Sequence, residues 1–174
     1  MSKPTILVIG HGRHGKDTFC DFLRDDHGFN FISSSEFVGR EILFDLIGSD
    51  YDDFDSFFED RVNRRKEWFE AIRDYNTPDG SKTATTMMSR GYDIYCGMRS
   101  VDELEACVGK GIFDRIVWVD RGEHIQPELE LSCTITSESA DTIVNNNGSL
   151  EDLRDAASLF VSSLRVRQDY VTIM

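Results

Sequence analysis

From Ile6 to Thr18 the chain reads ILVIGHGRHGKDT, and no other stretch constrains its architecture as strongly. Thr5 to Ile9 is a short apolar, β-branched run of the kind that forms a strand buried on both faces. A helical pattern opens at Lys16, with Phe19, Phe22 and Leu23 on one side. Between strand and helix lie Gly10, Gly12 and Gly15, and the spacing Gly10 to Gly15–Lys16 matches G-x-x-x-x-G-K-[ST] until its last position. There Asp17 replaces the hydroxyl residue and Thr18 follows.

In such a loop, backbone N–H groups and a helix N-terminus surround phosphate oxygens, and the lysine adds a point charge. The residues assigned to nucleotide phosphates are therefore Gly10, Gly12, Arg13, His14, Gly15, Lys16, Asp17 and Thr18. A carboxylate beside phosphates needs a cation between them. Asp17 either holds magnesium, through one of the metal's waters, or simply favours the first turn of the helix. His11 and His14 are expected to be loop spectators with exposed side chains.

The rest of the chain continues the alternation. "HGFNFIS" reads as a second strand, and a long helical region follows from about Ser35 to Tyr75, broken at "IGSDYDD". "YNTPDGS" is a loop and Lys82 to Ser89 a short helix. "YDIYCGM", "RIVWVD" and "ADTIV" are strands, and "SVDELEACV" is a helix with Ser100 as its cap and Glu103 three residues on. A closing amphipathic helix starts after Ser149, with Leu150, Leu153, Ala157, Phe160, Val161 and Leu164 at helical spacing. The expected fold is a three-layer α/β domain, a parallel sheet of about five strands with helices on both faces. One domain spans 1–174.

Charge sharpens the question of the ligand. The formal net charge is −13, so an anion is bound only where positive charge is concentrated locally. Wound into one helix, "DFDSFFEDRVNRRKEWFEAIRDY" gathers Phe54, Phe57, Phe58, Trp68, Phe69 and Ile72 on one face, with Arg61 and Arg65 near its middle and Arg64 at its edge. Buried guanidinium groups need partners. Either acidic side chains pair with them, or the face lines a cleft in which arginines clamp an anion, the reading favoured here. "CGMRS" places Gly97 and Arg99 past the end of a strand, where α/β sheets carry their ligand crevice, with Glu103 as a partner for Arg99. Asp120 and Arg121 in "WVDR" share that position. "SCTITSESAD" is either a cover over the phosphates or a polar loop.

Other classes lose ground. The acidic balance disfavours nucleic acid as a partner. No apolar run reaches bilayer length and the N-terminus lacks a signal peptide's pattern, so a cytoplasmic location is expected. Cys20, Cys96, Cys107 and Cys133 are too widely spaced for a zinc site and are read as buried structural thiols. The histidines form no metal set.

"GKDT" at Gly15–Thr18, "DRVNRRKEWFEAIRDYN", "DIYCGMRS" and "ADTIVNNNGSLEDL" together resemble the P-loop nucleoside monophosphate kinases, above all the phage-type deoxynucleoside monophosphate kinases. The resemblance covers most of the chain. It implies ATP and Mg2+ as cofactors, a (deoxy)nucleoside monophosphate as acceptor, and the host cytoplasm as location if the chain is of phage origin. It also implies that Lys16 serves the donor phosphates while Arg61, Arg65 and Arg99 bind the acceptor phosphate. It further implies a helical acceptor-binding insert, which 35–89 matches in place, and a lid at 121–138, which departs from the family's pattern with Arg121 as its sole cation. A homodimer is compatible with the reading. Two rivals are carried forward: a kinase acting on a hydroxyl, of a modified base in phage DNA or of a small metabolite, with Glu36 as base, and a nucleotide-binding regulatory protein without catalysis.

Overall fold

The computed structural model describes residues 3–127 and 133–171, with side chains as far as Leu164. One parallel sheet holds β1 (Ile6–Ile9), β2 (Ile94–Cys96), β3 (Arg115–Asp120) and β4 (Thr142–Asn145), in the order β2-β1-β3-β4. Ile6 pairs with Ile94 on one side and Arg115 on the other, and Trp118 pairs with Ile143.

Alternation along the strands sorts side chains into two cores. Ile6, Val8, Ile94, Val117 and Val119 face α1 (Lys16–His27) and the closing helix, packing with Phe19, Leu23, Leu153 and Phe160. Leu7, Ile9, Tyr95 and Trp118 face the opposite layer. That layer contains α2 (Ser34–Val38), a π-helical turn (Gly39–Leu43), α3 (Phe44–Ile47), α4 (Phe54–Glu59), α5 (Arg65–Tyr75), α6 (Lys82–Ser89) and α7 (Val101–Gly109). The closing helix, α8 (Leu150–Val171), starts where Asp152 N–H meets the Ser149 hydroxyl. All four cysteines are buried and free, as expected.

Four expectations are corrected. The sheet has four strands, not five: of "HGFNFIS" only Phe31 pairs, in a single parallel bridge to Ile94. Ser33, two residues after Phe31, already caps α2, so the extended stretch ends before a strand can form. The arginine-bearing helix is two helices. A 3-10 turn (Asp60–Val62) and a break at Asn63–Arg64 separate α4 from α5, which resets the helical phase. Phe57 and Trp68 stack in the core with ring centroids 5.0 Å apart, whereas Phe69 points outward at 66% exposure. Ser100 sits at the start of α7 without capping through its side chain; Thr134 Oγ1 accepts the Val101 N–H instead. Leu150 is exposed rather than on the apolar stripe of α8.

Candidate functional site

The sheet's connections reverse direction at β1. The chain first runs to the Phe31 edge, returns to β2, then passes over β1 to β3 and β4. In open parallel sheets the carboxyl ends of the strands at such a point form the ligand crevice. The glycine loop after β1 lies there.

Close packing shapes this loop. A Cβ on Gly10 would meet the Val119 carbonyl oxygen of β3, and Gly10 has φ +143. Gly15 has φ +92, and a Cβ there would collide with Asn146 Nδ2. Arg13 also adopts a left-handed conformation, φ 64, uncommon for a residue with a Cβ. The turn thus delivers the chain into α1 with its N-terminus open. Gly15 has no side chain to cap it, and first-turn amides have no partner within a helix.

Lys16 is buried, at 8% exposure. Its ammonium donates to the His11 carbonyl at 2.6 Å, and no carboxylate among the described residues pairs with it. A buried cation satisfied by one neutral oxygen is costly unless an anion joins it. With the open helix end, the arrangement is suited to phosphate oxygens.

Asp17 is exposed in the first turn of α1 and accepts a weak hydrogen bond from Cys96 Sγ at 3.6 Å. Thr18 is half-buried beside it. Among the described residues no group of three or more His, Cys, Asp or Glu could hold a metal ion by itself. Magnesium bound chiefly by a substrate's phosphates needs only one or two protein oxygens, a requirement that Asp17 fits, leaving Thr18 for a phosphate.

His14 is not a spectator. It is fully buried, and it links the loop to the segment after β3. Arg121 N–H donates to Nδ1 at 2.9 Å, so Nδ1 is unprotonated, Nε2 carries the proton, and Nε2 donates to the Ile125 carbonyl at 3.0 Å. Its own carbonyl accepts from buried Asn146 Nδ2 at 2.9 Å, and Asn146 N–H bonds to the Asp120 carbonyl. The sequence marked "NNNG" only as a turn. A polar residue that folding buries has no signature in hydropathy: Asn146 escapes the sequence reading for that reason, and His14, assigned to the phosphate loop, is expected exposed and is buried.

Other strand ends converge on the same edge. Gly97 N–H bonds to the Val8 carbonyl, and Ser34 Oγ donates to the Cys96 carbonyl at 2.5 Å, which sets the start of α2 beside the end of β2. Arg99 follows at once, exposed, its carbonyl receiving Thr134 N–H. Cys133 and Ile135 are buried in the second core, so this part of "SCTITSESAD" is anchored and is not a loose cover. The candidate lid at 121–138 includes residues 128–132, which lie outside the described residues. Glu103 turns inward and accepts from the Tyr95 hydroxyl at 3.2 Å; burial pushes its carboxyl up to about 7.

In the insert, Arg40 lies over the Phe54 ring at 4.1 Å, Phe54 stacks on Phe58, and Arg61 lies over Phe58 at 3.8 Å. Arg40 also donates to Glu36 Oε1 at 3.2 Å, a cation the sequence did not single out. Arg61 is half-buried and donates to the Phe58 carbonyl at 2.7 Å. Arg65, the first residue of α5, is exposed and is not brought against Arg61 or Arg99 by any described contact. Arg64, expected at the edge, is the inward one: Glu67 grips it at two oxygens.

Across the molecule, Arg24, Arg40, Arg64, Arg73, Arg90 and Arg154 all have carboxylate partners. Arg13, Arg61, Arg65 and Arg121 have none among the described residues, although the chain carries 32 acidic side chains. Arg115, at the opposite end of the sheet, bonds to a backbone carbonyl.

No family model matches the chain, and no curated protein matches it. Among solved structures, an unliganded sugar kinase from Janibacter sp. HTCC2649 superposes with a TM-score of 0.47 at 13% identity, over 92% of this chain and 95% of that one. A likeness this distant does not identify a substrate. What stands without it is a four-stranded parallel α/β fold with a glycine loop, a buried lysine and an open helix end at the sheet's switch point.

Proposed function

We propose that the chain is an ATP-dependent phosphotransferase that moves the γ-phosphoryl group to a (deoxy)nucleoside monophosphate. The observation that carries the reading is Lys16, a buried ammonium held, among the described residues, by a single backbone carbonyl beside an uncapped helix N-terminus. An arriving polyphosphate replaces the His11 carbonyl on Nζ and engages the first-turn amides of α1. Asp17, directly or through water, would hold magnesium, which would add positive charge to the phosphates, and Thr18 would serve the adjoining phosphate.

The acceptor is also an anion and must be brought to the donor against repulsion. Arg61, Arg65 and Arg99 are assigned to its phosphate; among the described residues no acidic side chain neutralises Arg61 or Arg65. An oxygen of the acceptor phosphate attacks the γ-phosphorus, the bond to the β-phosphate oxygen breaks, and ADP leaves. A monophosphate is already ionised and needs no general base. Glu36, the carboxylate that a hydroxyl acceptor would require, is paired with Arg40 through one oxygen.

The test is ADP release from ATP and magnesium with each deoxynucleoside and ribonucleoside monophosphate offered separately, followed by a hydroxymethylated-base DNA. Turnover with one or a few monophosphates supports the reading and names the acceptor. Turnover on the DNA alone moves the chemistry to a hydroxyl and to Glu36. ATP binding with no turnover on any acceptor overturns the kinase in favour of a regulatory nucleotide-binding protein.

A further inference from the structure

We infer that His14 is a positioning residue: its neutral ring fixes Arg121 against the glycine loop, so that a cation stands ready for the terminal phosphates of the nucleotide. This deepens the proposed nucleotide site and rests on it. Arg121 begins the segment after β3, and its backbone N–H is held by His14 Nδ1 at 2.9 Å. Four residues later the same ring holds the segment again, Nε2 donating to the Ile125 carbonyl. Between those two points Glu123 N–H bonds to Asn147 Oδ1 and His124 Nε2 to the Asn147 carbonyl, which ties the segment to the end of β4 as well.

The imidazole therefore joins the strand-end segments of β1 and β3 through its two nitrogens, and the residue's carbonyl reaches Asn146 at the end of β4. His11 packs edge-on against the ring at 5.4 Å, and Asp120 Oδ1, 3.8 Å from Nδ1, bonds to Gly122 N–H. A fully buried histidine with both nitrogens used has one orientation. It transmits that orientation to Arg121, whose partly buried side chain has no carboxylate partner among the described residues. Arg13 and Lys16 supply the loop's own cations, and Arg121 adds one from a neighbouring strand.

The experiment uses the full chain and calorimetric binding of ATP with magnesium, with AMP as the control lacking the terminal phosphates. His14→Asn keeps an oxygen where Nδ1 accepts; His14→Gln and His14→Phe do not. Arg121→Ala, His14→Gln and His14→Phe are expected to weaken ATP binding roughly tenfold to a hundredfold while leaving AMP binding nearly unchanged. His14→Asn recovers most of the loss, and His14→Phe with Arg121→Ala is no worse than Arg121→Ala alone. Hydrogen exchange at the Arg121 amide, fast in His14→Phe and slow in His14→Asn, reports the contact without any ligand. Additive losses, equal weakening of ATP and AMP, or an unchanged Arg121 amide would each overturn the role of His14 while leaving the nucleotide site standing. Wild-type protein that binds ATP no better than AMP would overturn the site itself, and this inference with it.

Discussion

Glu103 lends itself to a stability measurement whose sign and size both follow from its surroundings. It lies on α7, faces the second core and accepts a hydrogen bond from the Tyr95 hydroxyl at 3.2 Å. Burial pushes its carboxyl from the ordinary 4.5 up to about 7, against a smaller downward pull from Tyr95. In the unfolded chain the group is solvated and titrates near its ordinary value. Between those two pH values the folded protein keeps a proton that the unfolded chain has released, so stability is greatest below about pH 4.5 and falls as pH rises through 7. At about 1.4 kcal/mol per pH unit the full loss is roughly 3 kcal/mol. That is a ceiling, since Glu103 is only partly shielded from water. Glu103→Gln retains an oxygen for Tyr95 and removes the titration. Urea unfolding followed by circular dichroism, from about pH 4.5 to 8, is expected to show similar stabilities at the acid end. The variant gains with rising pH, by about 1–3 kcal/mol, and the gain levels off above pH 7. All other groups are common to the two proteins and cancel in the difference. Parallel stability curves across this range would refute the claim that Glu103 is desolvated.

Gly15→Ala places a Cβ against Asn146 Nδ2 at a residue with φ +92, and it should cost about 1–3 kcal/mol of stability and weaken ATP binding at least roughly tenfold. Calorimetry showing normal affinity would mean that the loop does not hold phosphate in this conformation. Arg61→Ala and Arg65→Ala should each raise the acceptor KM roughly tenfold, from loss of a charge-assisted bond, with KM for ATP little changed. Steady-state kinetics with acceptor KM and kcat both unmoved would remove that residue from the site. Gly39→Ala sets a Cβ 2.8 Å from the Trp68 ring and 3.2 Å from the Phe54 ring, so thermal or urea unfolding should reveal a loss of about 1–3 kcal/mol; a neutral result would show that the insert repacks freely.

Much of the architecture was legible in local pattern. The apolar β-branched runs located β1, β2, β3 and β4, and periodicity located α1, α6, α7 and α8, because strand and helix periods depend on neighbours along the chain. The glycine spacing was legible for the same reason: the left-handed turn at Gly15 is a local requirement of strand feeding helix. The insert was not. A helical wheel assumes one unbroken helix, and the break at Asn63–Arg64 turned Phe69 and Arg65 outward and Arg64 inward, which sequence spacing alone does not reveal.

Phe31 failed to become a strand because Asn30 N–H bonds to Asp93, some sixty residues away, and Ser33 Oγ accepts the Glu36 N–H that opens α2, which leaves one bridge to Ile94. The site divides along the same line. Lys16, Asp17 and the loop glycines could be read from the chain itself, since loop and helix start are contiguous. His14 was read as exposed and is buried, for its partners Arg121, Ile125 and Asn146 come from other strand ends more than a hundred residues on. Which arginines remain unneutralised in so acidic a chain was likewise settled by tertiary structure, because an ion pair depends on distance in space and not on position in sequence.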